Sequence, residues 1–523
     1  MKTNFTALDF IVLAAYLVGT TLLGIWLGRN QKDSKDYFVA GHRIPWWAVL
    51  FSVVATETSA LTFISIPGLA YTTNLGFLQI AAGYVLGRIV VAYTLLPRYY
   101  QGDLVTAYAL LEKRFGVGTR RFASVVFMVT RAFADSVRVF ATAIPIALIL
   151  GPTVPQQYVM PVAILVLGAL TLIYTYHGGM RAVVWTDVLQ TSVYLLGGLA
   201  AVYLLGKGVS GGWGAILSQA HGAGKLRVLD VYFGFDKPYT LFAGLIGGAF
   251  LSMASHGADQ VIVQRLLAAS SLKDSRKALI GSGIAVFFQF ALFLMIGIGL
   301  YAYYQARQFA VPDAIFPTFV VDSMPAGLRG LIVAAVLAAT MSAHSGAMNS
   351  LAASTTHDIY LPLSGRTADD PRTLRMAKLF TLFWGAVLLI AALLYRQQGT
   401  PVVVIALSIA SFTYGALLGG FFLGMLWRRA IQRDAILGMA VGIIAMSFVV
   451  FAKQMNPVPD TGDISFLHAL APGILFPSMR GTLTILSQIA FPWYVLIGTS
   501  FTIGVGILSS YTHAAPTDGD RWK

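Results

Sequence analysis

The sequence contains no cysteine in 523 residues and little charge of either sign. No disulfide, thiolate metal site or thiol chemistry is therefore available, and the chain carries no redox signature of its compartment. Charged residues make up only 11%, with 22 acids against 36 Lys and Arg, whereas 57% of the chain is hydrophobic. So little charge on so long a chain excludes a soluble protein built on one core and implies an all-α polytopic membrane protein. The formal charge of +14 does not indicate nucleic acid, because the basic residues fall in short clusters between apolar runs. No stretch is long and polar enough for a separate soluble domain. The first apolar run, Leu8–Leu27, lacks a basic leader and a small-residue cleavage site, and reads as a retained span.

Apolar windows predict about 13 transmembrane helices, near 8–28, 47–72, 77–97, 122–150, 157–176, 183–206, 239–266, 277–304, 326–360, 374–395, 401–427, 434–452 and 490–510. With the N-terminus outside, the loops facing the cytoplasm collect most Lys and Arg, among them Arg114, Arg120, Arg181, Arg265 and Lys378, and the C-terminus falls inside. The segments 207–238, 305–325 and 454–485 then lie outside and have room for short surface helices.

The chain is organised around residues 46–72, an apolar span with Thr56, Glu57, Thr58, Ser59 and Thr62 in its middle and Pro67 beyond. A carboxylate at mid-membrane costs on the order of 3 kcal/mol unless it faces protein or water, so Glu57 should face inward. It is expected to be ionised beside an arginine, protonated as a donor, or active in proton coupling. Discontinuous spans are where secondary transporters hold substrate and coupling ion. An ordinary buried helix whose hydroxyls bond back to the preceding turn is an equally good reading of this stretch alone. The run LFAGLIGGAFLSMASHGADQVIVQRLLAA is a second interrupted span, with Ser252, Ser255 and His256 in its middle. Two interrupted spans five spans apart point to an inverted repeat with the site between them. His256 by itself is more often a hydrogen-bonded core residue than a proton carrier.

Three further spans carry polar groups. Arg131, Asp135 and Arg138 share one helix face, where a salt-bridge network is favoured over recognition of a substrate carboxylate by Arg138. Asp187, Thr191 and Ser192 offer hard oxygen ligands just after a Gly-Gly turn, although an acid near a helix N-terminus also suits the macrodipole. Ser342 and Ser345 lie on one face of the span near 326–360, with Asn349 a turn further on. Neutral hydroxyl and carbonyl oxygens suit a hard monovalent cation, and nothing offers the His or Cys set of a transition metal.

At these residues the chain resembles the sodium:solute symporter family. The resemblance is carried by DYFVAGHRIPWWAV, GDLVTAYALLEKRFG, YHGGMRAVVWTD, DQVIVQRLLAA and AATMSAHSGAMNS ending in DIY, in that order over almost the whole chain. It implies a LeuT-type fold of two inverted repeats of five helices, 46–206 and 239–427, with one extra helix at 8–28 and two at 434–510. It implies Na+ as coupling ion, held by the carbonyls of Ala55, Thr58 and Ala339 and the hydroxyl of Ser342. A second hydroxyl usual in the family is replaced by Ala343. Asp187 matches an acid beside the ion exit path and, with Ser345, forms part of a second ion site in some members, although Gly346 stands where a serine would help.

The resemblance further places Glu57, Thr62, Gln79, Tyr84, Arg138, Ser252, Ser255 and His256 around the solute. The expected protein is not an enzyme but a Na+-coupled importer of a small polar organic solute, with a carboxylate-bearing one favoured over a simple hexose. It sits in the bacterial inner membrane. The alternatives are a proton-coupled or sugar symporter on the same scaffold and, from another class, a transporter-like sensor, for which the tail Tyr511–Lys523 is too short to carry a signalling domain.

Overall fold

The computed structural model describes residues 5–28, 31–58, 60–101, 104–150, 154–309, 311–395, 402–452 and 480–514. Ser59, most of the segment 454–485 and the tail beyond 514 lie outside the described residues. Among those described there is no β-strand, only an isolated backbone bridge between Ile44 and Ala269. The principal helices are α1 (Ala7–Leu27), α2 (Trp46–Glu57), α3 (Ala60–Thr72), α4 (Leu78–Tyr93), α5 (Val117–Leu150) and α6 (Gln156–Gly208). They are followed by α7 (Gly248–Gly257), α8 (Gln260–Leu267), α9 (Leu272–Tyr303), α10 (Leu328–Ser354), α11 (Pro371–Leu394), α12 (Val402–Leu426), α13 (Gln432–Val450) and α14 (Trp493–Ser510). Every range expected from hydropathy carries helix. By length and composition, seven helices among the described residues are able to cross a membrane, or eight when the bent pair α2 and α3 counts as one span.

Helix α6 has 53 residues, which at about 1.5 Å per residue would be more than twice the roughly 30 Å of a bilayer core. It is broken at Gly179 (φ 53°, ψ −155°), where a Cβ would meet the Tyr37 carbonyl at 2.5 Å. Glycine is required there for both conformation and space. The turn separates two crossings, as the Gly-Gly pair suggested. Short helices Gly212–Gly222 and Ile315–Ser323 occupy two of the segments expected to carry them.

Both interrupted spans are broken where the polar residues stand. Helices α2 and α3 meet at 62° after Thr58 (φ −86°, ψ 84°), and Pro67 lies within α3. The second span opens with a π-helical turn, Ala243–Gly247, runs through α7, and breaks at Ala258 and Asp259 before α8. Asp259 caps α8 by accepting from the Val261 N–H at 2.8 Å, so the acid restarts the helix it interrupts. Helix α4 packs on this span through facing glycines. Cβ atoms at Gly83 or Gly87 would strike the Gly244 and Ala249 carbonyls, and one at Gly244 would lie 2.6 Å from the Gln79 backbone. Small residues spaced four apart let two helix backbones touch, which is how membrane helices pack without a hydrophobic driving force.

Helix α8 is buried along its whole length. Two residues expected in cytoplasmic loops are also buried. Arg265 is wholly enclosed within α8, and Arg114 donates to the carbonyls of Gly424, Trp427 and Arg428. A loop count based on hydropathy assigns such arginines to water because their partners are distant in sequence.

Candidate functional site

Around the break in the first span the polar side chains form two clusters. One centres on Asp187, in the second half of α6. Its carboxylate accepts from the hydroxyls of Ser52 on α2, through Oδ2, and Ser342 on α10, through Oδ1, and Arg265 lies 3.4 Å from Oδ2. Arg265 also donates to Ser52 Oγ at 3.0 Å and to the Val261 carbonyl at 2.8 Å. All four side chains are fully buried, so Asp187 is held by a cation and two hydroxyls rather than by a helix N-terminus. Ser345 donates to the Ser342 carbonyl at 2.9 Å. Ala55 and Thr58 end α2, where the last carbonyls of a helix lack intrahelical partners. Ala339 lies in α10 three residues before Ser342, with its side chain outside the described residues. Thr58 Oγ1 accepts from Gln289 of α9 at 2.7 Å. The hydroxyls of Ser52 and Ser342 and the Asp187 carboxylate therefore meet where α2, α6 and α10 pack, and hard oxygen donors of this kind fit Na+ as cargo.

The second cluster centres on Glu57. Its carboxylate pairs with Arg88 of α4, and His256 Nε2 of α7 lies 3.6 Å from the same oxygen. Arg88 is fully buried and donates through its other terminal nitrogen to Ser282 at 2.7 Å. Of the three states open to Glu57 from the sequence, the structure takes the ion pair. Ser252 donates to the Tyr84 carbonyl at 3.0 Å, and Ser255 Oγ lies 2.8 Å from His256 Nδ1. Glu57, Tyr84, Ser252, Ser255 and His256 are thus brought together, and Thr62 opens the arm beyond the break with its side chain partly exposed.

Two candidates make contacts outside this cluster. Gln79 donates to the carbonyls of Gly76 and Tyr239 and accepts from the Asp230 N–H at 3.2 Å. Those bonds fix the loop beside a cavity of about 200 Å³ that Thr73, Asn74, Arg227, Lys237 and Tyr239 help to line. Arg138 lies 3.3 Å from Asp135. Arg131 of the same face pairs with Asp259 at 2.6 Å, and Tyr414 donates to that carboxylate. The shared face therefore builds the salt-bridge network that its spacing favoured, tying α5 to the break before α8 and to α12.

Sequence reasoning missed Arg88 and the role of Arg265. Arg88 sits among apolar residues in the middle of α4, and the mid-membrane cost that singled out Glu57 would have singled it out too. Arg265 carried no such signal, since it falls at the end of an apolar run.

Two broken helices facing each other, a buried acid beside hydroxyls, and polar side chains at both breaks define a secondary transporter. The sodium:solute symporter family model matches residues 37–442, and the chain belongs to that family. It is a Na+-coupled symporter of the multi-pass membrane type, not an enzyme. It is 32% identical over 461 residues to the sodium/sialic acid symporter NanT of Aliivibrio fischeri, covering 87% of this chain and 90% of that protein. To the sodium/sialic acid symporter SiaT of Proteus mirabilis it is 31% identical, covering 87% and 91%. A solved structure of a Na+-coupled sialic acid symporter in a substrate-bound outward-open state superposes with a TM-score of 0.81 at 28% identity, covering 98% of this chain and 99% of that one. The fold is of the LeuT type.

Proposed function

We propose that this symporter moves a carboxylated sugar of the sialic acid kind inward together with Na+. The observation that carries the reading is the pair of polar clusters on the broken first span, one of serine hydroxyls and a carboxylate around Asp187 and one of Glu57, serines and His256 that can bond a sugar. The similarity to two sialic acid symporters supports the solute class. In this reading the carbonyls of Ala55, Thr58 and Ala339 and the hydroxyl of Ser342 hold Na+, while Ser345 and Asp187 line its exit. Glu57, Thr62, Tyr84, Ser252, Ser255 and His256 line the solute, Gln79 holds the outer loop, and Arg138 is the candidate for the carboxylate. The five-helix repeats span 46–206 and 239–427, flanked by helices at 8–28 and 434–510. The N-terminus lies outside and the C-terminus inside, in a bacterial inner membrane.

Coupling follows from linkage. Na+ bound between α2 and α10 ties the broken helix to its neighbour and raises the population of the solute-competent state. Na+ moving one to one with a monoanionic solute carries no net charge, so the Na+ concentration gradient drives that cycle, and each further Na+ brings one charge across about 100 mV for roughly 2.3 kcal/mol. The test is thermal stabilisation of the purified protein across sugars, amino acids, N-acetylneuraminate and small carboxylates, each in Na+ and in K+. A shift with N-acetylneuraminate only in Na+ is expected. A shift for another solute class, or one set by pH and indifferent to Na+, would overturn the reading.

A further inference from the structure

Away from the two breaks, the side of the molecule proposed to face outside carries a cavity with more positive than negative charge. We propose that this cavity is a seat for a carboxylate, where Arg227 and Lys237 catch the acid end of the solute before it reaches the break. The inference rests on the carboxylated-sugar reading above and deepens it with an earlier station for the same group.

The walls are fixed to both broken spans. On one side residues 73–76 join α3 to α4, and Asn74 Oδ1 closes that turn by accepting from the Gly76 N–H at 2.9 Å. On the other, residues 225–239 lead into the second span. The Leu75 N–H donates to the Arg227 carbonyl at 3.2 Å, and Lys225 Nζ donates to the carbonyls of Tyr71 and Thr73 at 2.6 and 3.2 Å. Gln79 ties Gly76, Tyr239 and the Asp230 N–H together. The volume of about 200 Å³ is below the roughly 300–1,000 Å³ of pockets that enclose a drug-sized ligand. The cavity therefore takes one end of a sugar acid and leaves the rest outside.

Charge selects the ligand. Arg227, Lys237 and Asp230 help to line the cavity, two cations against one acid. Lys225 is buried nearby with its ammonium on two carbonyls and 4.4 Å over the Tyr301 ring, so it is out of reach. Asp236 accepts from the Tyr232 hydroxyl at 3.1 Å. Arg227 lies 3.5 Å from Asp230 Oδ1, but its side chain is 61% exposed, and the same oxygen accepts from the Tyr232 N–H at 3.1 Å. An exposed pair of that kind is weak and screened by salt, which leaves the guanidinium fork able to take a second carboxylate. Lys237 Nζ rests 4.4 Å above the Tyr232 ring and pairs with no acid among the described residues. The excess of one positive charge matches a monoanion. A neutral sugar gains nothing from it, an ammonium is repelled, and a dianion leaves one negative charge over. Such an excess at the mouth raises the local concentration of an anionic solute and its rate of entry.

The chain has no cysteine, so Thr73→Cys places a single thiol at the cavity. The experiment compares its reaction with an anionic and a cationic methanethiosulfonate reagent in the purified full-length transporter, each rate divided by that with free mercaptoethanol. Taking the ratio of the two cancels any change in the thiolate fraction of T73C. The expected anionic preference is about three- to tenfold at low salt, falling toward one at high salt. Arg227→Gln and Lys237→Gln should each lower it, and Asp230→Asn should raise it, an opposite sign that a disturbance of the loop would not give. N-acetylneuraminate should slow the reaction of T73C, and its neutral methyl ester should not. The seat is overturned if the two reagents react alike, if the three variants do not move the ratio in those directions, or if acid and ester act alike. Na+-driven uptake by the wild type is read separately. If the seat passes and N-acetylneuraminate is not taken up, the carboxylated-sugar reading falls and the seat stands as an anion site. If uptake is seen and the seat fails, only the seat falls.

Discussion

Replacing Arg265 by Met removes the only cation touching Asp187 among the described residues and leaves the carboxylate fully buried with two serine hydroxyls. Met fills a similar volume, so the loss is electrostatic rather than a cavity. Breaking one side of a buried pair costs about 3–5 kcal/mol, because the remaining charge keeps its desolvation penalty without its partner. Removing both charges is different, since a buried pair and a neutral pair of similar shape are often close in stability. Asp187→Asn combined with Arg265→Met should therefore recover most of the loss, a coupling of roughly 3 kcal/mol in a double-variant cycle. The assay is unfolding of the purified protein in mixed micelles, titrating SDS into a mild detergent and following helicity for wild type, both single variants and the double. A loss below about 1 kcal/mol for Arg265→Met, or a double variant as unstable as the sum of the singles, would refute the argument.

Three other outcomes are expected. Ser342→Ala removes both a proposed Na+ ligand and a donor to Asp187, and should raise the Na+ concentration for half-maximal uptake roughly tenfold; an unchanged Na+ dependence would take Ser342 out of the site. Gly83→Ala pushes α4 off the Gly244 carbonyl and should destabilise the fold by about 1–3 kcal/mol, read by the same micelle titration, with wild-type stability as the contrary result. His513, beyond the end of α14, is raised above the ordinary imidazole range by its bond to the Ala514 carbonyl and by Asp434 at 2.8 Å. A raised folded value means that this tether is fully present below the unfolded value of about 6.5 and is lost as pH rises through the folded one. Protection from hydrogen exchange at residues 511–514, taken relative to the intrinsic rate at each pH, should accordingly fall from pH 6 to pH 8, and His513→Gln should abolish that fall.

Much of the architecture could be read directly from residue order. Twenty-residue apolar windows report burial in lipid, and a carboxylate or Gly-Gly pair inside one reports a break, because both signals are local in the chain. Glu57, Asp187 and Ser342 were visible for that reason, and so was the shared face of Arg131, Asp135 and Arg138. Partners were not visible. Glu57 and Arg88 are 31 residues apart, Asp187 and Arg265 are 78, and Arg131 and Asp259 are 128. No periodicity links residues on different helices.

A helical membrane protein, its breaks and the residue types at them follow from residue order, since these depend on transfer free energy and backbone chemistry that each segment carries alone. It took the packed fold to set Asp187 among two serines and an arginine and to pair Arg88 with Glu57. Those facts depend on how helices pack. Where α4 meets the second broken span, that packing is made by glycine-to-backbone contacts, a relation between surfaces that a linear pattern does not contain.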